Sequence, residues 1–304
     1  MGKQFVWWVM DDPVPAGIDG KPQAVEASFL KKNYGKVVAL DGVNLAVPEG
    51  TIFGLVGPNC AGKTTLIKAL VGFLKPTSGS VKVLGLDPLR ERWALRQQIG
   101  YMPQSPALYD DLTARANILY FSQAQKVADL PAKVADILTF AELADRADDR
   151  VATFSGGMKK RISLACALVH EPRIIFLDEP TAAVDPHLRF KMWQLFRKLA
   201  ARGTTLVIST HLMEEALLCD RVAVLRRGVL LVDDSPAQIL KDGRTRLVIR
   251  KGNQLEEKQI PTSGEELAAA LRADGLSTEV DAVLVEPDSL EDVIVALIRS
   301  RGEP

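Results

Sequence analysis

The sequence predicts an α/β fold with a mostly parallel core sheet. Short apolar segments rich in β-branched residues alternate with segments whose apolar residues recur at helical spacing, and this alternation is typical of a sheet covered by helices. The segment 174–177 is entirely apolar, as expected for a strand that is buried on both faces. A glycine-rich loop joins one such strand to a helix, and this loop adds a phosphate-binding element to the predicted fold.

The glycine-rich loop satisfies the P-loop pattern G-x-x-x-x-G-K-[ST]. A short apolar run at 51–56 precedes it, and an uninterrupted helical pattern at 65–71 follows it. In that context the N–H groups of the loop and the start of the helix face an anion, so we predict a nucleoside triphosphate site. The pattern consists of Gly57, Pro58, Asn59, Cys60, Ala61, Gly62, Lys63 and Thr64.

The other elements follow in chain order. Residues 1–24 contain several prolines and glycines and predict an N-terminal extension without regular structure. Apolar, β-forming runs predict strands at 25–30, 37–40, 43–47, 81–84, 99–104, 173–177, 204–209, 221–225 and 229–232. Helical spacing predicts a helix that opens at 153–158 and runs to 169, and helices at 186–201 and 212–218. Alanine-rich runs such as 132–138 and 141–147 predict a separate helical lobe at about 105–155.

The pattern restarts after residue 242, which predicts a main domain at 25–242 and a small C-terminal α+β domain at 243–304. The predicted elements of the small domain are a strand at 246–250, a helix at 265–273, one long strand or a strand pair at 278–285 and an amphipathic helix at 289–299. No cluster of chemically reactive residues occurs in this segment. Three roles are open for it: regulation, stabilisation of a dimer, or a stabilising cap on the main domain.

Composition and charge exclude several classes of protein. The 304 residues carry 38 Lys+Arg and 38 Asp+Glu, so the net charge of zero gives no overall field for nucleic acid or an anionic membrane. Three cysteines, far apart and odd in number, do not suggest a disulfide framework and fit a reducing compartment. The apolar run 5–10 is ended by Asp11 and Asp12 and is too short for a bilayer span, so we expect no membrane crossing.

Polar residues that could bind a ligand or take part in a reaction lie where predicted strands end or helices begin. They are Gln104, Ser155-Gly156-Gly157-Met158, Asp178-Glu179 and His211. Taken singly each is weak, since a strand ending in Asp-Glu is common and a lone histidine is more often a surface or packing residue. Together and in this order they resemble the nucleotide-binding subunit of ATP-binding-cassette (ABC) transporters over 25–242, and the Ser-Gly-Gly signature makes the resemblance specific.

The stretch FSGGMKKR at 154–161, the stretch PTAAVDP at 180–186 and the small C-terminal domain are similar to the antibiotic-resistance and multidrug exporter branch of that family. In that branch the ATPase is a subunit separate from the permease. The resemblance implies an ABC-type P-loop NTPase fold, a sandwich with a mostly parallel core sheet, an antiparallel β subdomain, a helical subdomain and the small C-terminal domain. It also implies ATP and Mg²⁺ as ligands.

The resemblance assigns roles around the phosphates. Lys63 would place a positive charge on the β- and γ-phosphates, the Thr64 hydroxyl would coordinate Mg²⁺, and Thr65 would reach the α-phosphate. Asp178 would hold Mg²⁺ through its water shell, and Gln104 would sense the metal and the attacking water.

Four further residues receive roles in the same way. Glu179 would polarise the attacking water as general base, and His211 would contact the γ-phosphate. Tyr34 matches the adenine-stacking position, and its alternative is a half-buried aromatic side chain in the turn at a strand end. Asp185 matches the loop that touches the second subunit.

The resemblance also implies partners and a location. One P-loop and one Ser155-Gly156-Gly157 signature per chain imply a head-to-tail dimer, with a second copy or a homologous ATPase, in which each signature covers the γ-phosphate held by the other chain. ATP binding would close this dimer and hydrolysis would reopen it. An integral-membrane permease would dock near Gln104 and the helical lobe. The chain would then lie at the cytoplasmic face of the inner or plasma membrane as a peripheral subunit. No nucleic acid is expected as a partner.

Three function classes follow. The first is the ATPase subunit of an exporter. The second is a non-transport cassette ATPase acting on ribosomes or DNA, whose members typically carry two cassettes in one chain or long coiled coils, neither of which the sequence predicts. The third is a cassette ATPase for a lipid, polysaccharide or other envelope component, which the sequence barely separates from the first.

Three positions depart from the family pattern or invite another interpretation. Cys60 stands where relatives usually have glycine; it is either a tolerated exchange or a thiol with lowered pKa that bound nucleotide protects. Met158 stands where most relatives have glutamine, which weakens a contact to the opposite nucleotide. The basic run 159–161 is expected to be a solvated helix face.

Overall fold

The computed structural model describes residues 22–123, 125, 127, 129–275 and 280–300. Residues 1–21, with the aromatic run 5–10, lie outside the described residues. The predicted extension through residue 24 is too long by two residues, because the first strand begins at Gln23, which pairs with Pro48.

The strands of the described chain form three sheets. In chain order they are β1 (Gln23–Tyr34), β2 (Val37–Pro48), β3 (Ile52–Val56), β4 (Ser78–Val83), β5 (Ile99–Met102), β6 (Ile174–Asp178), β7 (Thr205–Thr210), β8 (Arg221–Arg226), β9 (Val229–Asp234), β10 (Arg244–Lys251), β11 (Gln254–Pro261) and β12 (Ala282–Pro287).

The α-helices alternate with the central strands. They are α1 (Lys63–Leu70), α2 (Arg92–Arg96), α3 (Ala114–Ser122), α4 (Leu130–Phe140), α5 (Gly156–Leu168), α6 (Pro186–Ala201), α7 (Met213–Ala216), α8 (Pro236–Lys241), α9 (Gly264–Ala270) and α10 (Leu290–Ser300). The helix predicted at 186–201 has these bounds because Asp185 caps it, accepting the Leu188 N–H at 3.0 Å, and Pro186 occupies its first turn. No helix of the described residues is long and apolar enough to cross a bilayer.

The central sheet has the strand order β5-β6-β7-β3-β8-β9. The first five strands run parallel and β9 runs antiparallel to β8. Strands β3, β6 and β7 are buried along their whole length, since helices cover both faces. The carboxyl ends of the parallel strands therefore meet at one edge, and the polar residues predicted at strand ends come together there.

The antiparallel β subdomain consists of β2-β1-β4. The sequence predicted three short strands where β1 and β2 form two long ones, because irregular pairing interrupts the alternation of apolar residues. Phe29 marks one such site, with a positive φ of 49° and an exposed side chain.

In the helical lobe, α3 and α4 pack with one face of α5 around a separate apolar core. The predicted helix at 141–147 is wrong. Glu142 has a φ of 54° and ends the helical path after α4, and only a short 3₁₀ turn, Ala144–Arg146, follows. The helix predicted at 212–218 is shorter, limited to Met213–Ala216.

The C-terminal segment forms the sheet β11-β10-β12 with α9 and α10. The sequence does not predict strand β11, because nearly every residue in it is exposed and its apolar residues do not alternate with polar ones. Part of the strand predicted at 278–285 lies outside the described residues, and β12 begins at Ala282. One face of α10 carries Leu290, Val293 and Ile294 into the same apolar core as α6 and β7.

Candidate nucleotide-binding site

The P-loop connects the end of β3 at Val56 with the start of α1 at Lys63. Two positions of the loop require glycine, because main-chain carbonyl oxygens of other segments approach them closely. A Cβ on Gly57 would lie 2.2 Å from the carbonyl oxygen of Leu225, and one on Gly62, whose φ is +109°, would lie 2.7 Å from that of Ala39. Thr64 and Thr65 follow in the first turn of α1, so both hydroxyls lie beside the helix N-terminus.

Lys63 lies folded into the loop that precedes it. Its Nζ donates to the carbonyl oxygens of Gly57 at 2.6 Å and Pro58 at 3.1 Å and lies 3.5 Å from Oε1 of Glu179. Burial lowers the pKa of Lys63, and the carboxylate of Glu179 opposes that shift. The loop therefore presents one cation together with the N–H groups of a helix start, which suits a polyphosphate.

Asp178, the last residue of β6, is completely buried. Its Oδ1 accepts the Ser209 hydroxyl at 2.5 Å, whereas Oδ2 is buried and has no hydrogen-bond partner in the protein. A buried carboxylate oxygen without a partner requires a cation or water, so the residue fits the predicted Mg²⁺. Asp178 and the Thr64 hydroxyl would hold the ion, which would neutralise phosphate charge when bound.

Glu179 is the residue on which the site converges. Its Oε2 accepts Gln104 Nε2 at 3.2 Å and lies 3.5 Å from His211 Nδ1, while its Oε1 faces Lys63. Only 9% of the side chain is exposed. The structure thus brings three residues from separate parts of the sequence to one carboxylate.

Sequence reasoning missed two residues that hold this edge of the sheet. Ser209 pairs with Asp178 in the parallel register of β6 and β7, and its Oγ also accepts the Glu179 N–H at 3.0 Å. Thr210 donates to the buried Glu215 at 2.7 Å and accepts the Leu212 N–H at 3.0 Å, which fixes the backbone on both sides of His211. The available signal was their position at the end of the strand next to β6.

The Ser-Gly-Gly signature forms the start of α5. Ser155 caps the helix by accepting the Met158 N–H at 3.3 Å. A Cβ added to Gly156 or Gly157 would touch nothing within 4 Å, so packing inside this chain does not require either glycine. The signature therefore presents an open helix N-terminus at the surface.

Tyr34 and Cys60 lie at the rim of the loop region. Tyr34 is the last residue of β1 and pairs with Val37 across the turn; it is half-buried, with 48% exposed, and the Lys32 ammonium lies 5.0 Å from the ring centre. Cys60 is an exposed free thiol with a φ of 65°, a conformation that favours glycine. Adenine stacking on Tyr34 and both interpretations of Cys60 stay predictions.

The solvated face predicted at 159–161 is wrong for two of its three residues. Lys159 pairs with the exposed Asp110 at 2.6 Å, as a surface lysine does. Lys160 instead turns inward and donates to main-chain carbonyl oxygens after β6, and Arg161 donates to the carbonyl oxygen of Ala141 at 3.0 Å. These basic side chains bind the ends of neighbouring segments, where carbonyl groups lack helical partners.

Most of the chain is similar to proteins of one family. Residues 40–182 match the family model described as ABC transporter. Over 90% of this chain and 96% of the relative, the sequence is 37% identical to the Nod factor export ATP-binding protein I of Rhizobium sp. (strain N33).

Solved structures show the same fold. The structure of an ATP-binding subunit of an ABC transporter aligns over 90% of this chain and 99% of its own, with a TM-score of 0.71 and 24% identity. An ATP-binding cassette solved as a dimer in a post-hydrolysis state with ADP and Pi aligns over 69% of this chain and 98% of its own, with a TM-score of 0.65 and 29% identity. The predicted fold class is confirmed, and the chain belongs to the ABC transporter family, with the fold of its ATP-binding cassettes.

Proposed function

We propose that this chain is the ATP-hydrolysing subunit of an export system, which powers a separate membrane permease through ATP-driven closure of a dimer. The observation that carries the proposal is the convergence of Lys63, Gln104 and His211 on the carboxylate of Glu179, beside the buried Asp178. The export direction is supported by relatives named for Nod factor export.

Each residue has a defined task in this proposal. Asp178 and Thr64 would hold Mg²⁺, which would neutralise phosphate charge, and the Lys63 ammonium would leave the loop carbonyl groups for the β- and γ-phosphates. Glu179 accepts a proton from the attacking water as general base, since its carboxylate lies at the edge of the phosphate site. Gln104 and His211 orient that carboxylate and the water.

The site is completed by a second chain in head-to-tail arrangement. The Ser155 helix start is open and points its N–H groups outward, and the dimeric form of a related cassette supports such an assembly. ATP favours the closed dimer because each triphosphate then contacts the P-loop of one chain and the signature of the other. Hydrolysis removes that bridge.

The permease docks, in this proposal, in a groove between the helical lobe and the core sheet. The groove has a volume of about 320 Å³, and Phe73, Trp93, Tyr101 and Phe121 line it. Trp93 is 71% exposed and Phe73 60% exposed, which is unusual for large apolar side chains of a globular domain. An apolar membrane-protein segment suits such a surface.

Replacing Glu179 with Gln tests the proposal. The variant should bind ATP normally, lose at least about a hundredfold in turnover because the general base is gone, and accumulate as a dimer with ATP in size-exclusion chromatography. Membranes should retain the trapped dimer together with the permease. Glu214→Gln, an exposed carboxylate nearby, is the control and should behave like the wild type. Unchanged turnover in Glu179→Gln would remove Glu179 from the role of base.

A further inference from the structure

Lys160 makes an unusual contact for a residue in the second turn of α5. Its Nζ donates to the carbonyl oxygen of Glu179 at 3.1 Å and also to that of Ala182. Both acceptors belong to the loop 179–185, which joins β6 to α6. One ammonium group therefore connects the signature helix with the loop that carries the proposed base.

That loop has a conformation that needs support. Glu179 has a φ of 49° and Ala183 a φ of 58°, two left-handed residues with side chains in one short segment. On its N–H side Glu179 is held by Ser209 of β7. On its carbonyl side the donors are Lys160 and the Ala182 N–H, the latter at 3.3 Å. Lys160 thus completes the anchoring of the Glu179 backbone.

An ion pair at the protein surface does not explain why the side chain of Lys160 points inward. The ammonium gives up solvation to reach the loop, and this burial lowers the pKa of Lys160; the carboxylates of Glu179 and Glu215 oppose that shift. The adjacent Lys159 reaches an exposed aspartate instead. Two carbonyl acceptors compensate for the lost solvation of the Lys160 ammonium. The two hydrogen bonds fix the position of the loop relative to α5.

We propose that Lys160 is a positioning residue for ATP hydrolysis, which holds the loop 179–182 so that the carboxylate of Glu179 faces the attacking water. The inference rests on the proposed function of Glu179. Because Ser155 caps the same helix and would contact the nucleotide of the second chain, a shift of α5 reaches Glu179 through Lys160. Contact with one nucleotide in the dimer is thereby linked to the base that acts on the other.

The test compares Lys160→Met, Lys160→Arg and Lys159→Met in the full chain. Active sites are counted by titration with a fluorescent ATP analogue, and ATP turnover is expressed per active site. Lys160→Met should reduce kcat between about 10- and 100-fold, since small displacements of a catalytic group have effects of that size. Its affinity for the analogue should stay within twofold. Lys160→Arg should recover at least half of the wild-type kcat, and Lys159→Met should keep the wild-type values.

Two results would overturn the inference. One is a kcat for Lys160→Met within twofold of the wild type. The other is a parallel loss of nucleotide affinity that Lys160→Arg does not correct, which indicates a general packing role. If Lys160→Met does not fold, Lys160→Gln is held to the same criteria, because its shorter, uncharged side chain cannot reach both carbonyl groups. Wild-type turnover in Glu179→Gln would instead refute the proposed function, whatever Lys160 does.

Discussion

Cys60 shows how a single residue can occupy a P-loop without the usual glycine. Its φ of 65° lies in the left-handed region, where a Cβ is unfavourable, yet the side chain is exposed and displaces nothing. The close approaches that require glycine lie at Gly57 and Gly62 instead. The loop therefore keeps its path at some conformational cost at position 60.

Replacing Cys60 with glycine should raise the free energy of unfolding by about 1 kcal/mol, because glycine adopts this backbone conformation without the steric penalty. Urea unfolding followed by circular dichroism measures the change. Cys166→Gly is the control: this cysteine lies inside α5, where glycine should lower stability by about 1 kcal/mol or more. A loss of stability in Cys60→Gly would contradict the strain argument.

Residue patterns allowed part of the site to be predicted and not the rest. Asp178, Glu179 and His211 each follow an apolar strand, and parallel strands end at a common edge, so their convergence could be foreseen. The direction of the Lys160 side chain could not be predicted. Helical spacing assigns Lys160 to a face of α5, but its acceptors are main-chain oxygens of a distant loop. Because every residue has a main-chain oxygen, the sequence does not identify these acceptors.

At the scale of elements, the groove proposed for the permease is built from several separate segments. Trp93 belongs to α2, Tyr101 to β5 and Phe121 to α3, while Phe73 follows α1 and His170 follows α5. His170 Nε2 lies 2.9 Å from the Ile99 carbonyl oxygen, and burial lowers the pKa of this histidine. This contact joins the segment after α5 to β5.

Trp93→Ala should weaken docking on the permease while leaving the isolated ATPase active. An exposed tryptophan at the centre of an apolar contact often contributes 2 kcal/mol or more, so we expect an affinity about 30-fold lower. The measurement is the retention of the tagged chain on membranes in which the permease is co-expressed, with ATP turnover of the purified chain as a second readout. Phe190→Ala, a comparably exposed side chain on α6, is the control. Equal retention of both variants would place the docking surface elsewhere.

Two of the elements that sequence analysis missed, α2 and β11, share one physical property. Helix α2 spans five residues and β11 is exposed along nearly its whole length, so neither has a long apolar period to detect. Strand β11 is specified by main-chain pairing with β10 over eight residue pairs. Such pairing depends on the neighbouring strand, to which Glu257 of β11 adds an ion pair with Arg246 of β10, and neither contact produces an apolar period in β11.

For the whole molecule, the boundary predicted at 242/243 crosses a continuous apolar core. Helix α10 lies in the C-terminal segment, but its buried side chains pack in the same cluster as Trp193 and Phe196 of α6 and Ile239 of α8. A change of pattern along the chain marks where a new set of elements begins. It does not show that those elements form a separate core, because the packing partners of α10 lie far away in sequence.

Ile294→Ala should therefore destabilise the ATPase domain and not only the C-terminal segment. Ile294 is 4% exposed, so its truncation should lower the free energy of unfolding by about 2–5 kcal/mol. Val295 on the same helix is 38% exposed, and Val295→Ala should change stability by less than about 0.5 kcal/mol. In urea titrations, the binding of a fluorescent ATP analogue and the helical circular dichroism signal should be lost together at a lower midpoint. If ATP binding keeps the wild-type midpoint in Ile294→Ala, the two segments unfold independently and α10 is a cap with no share in the stability of the nucleotide site.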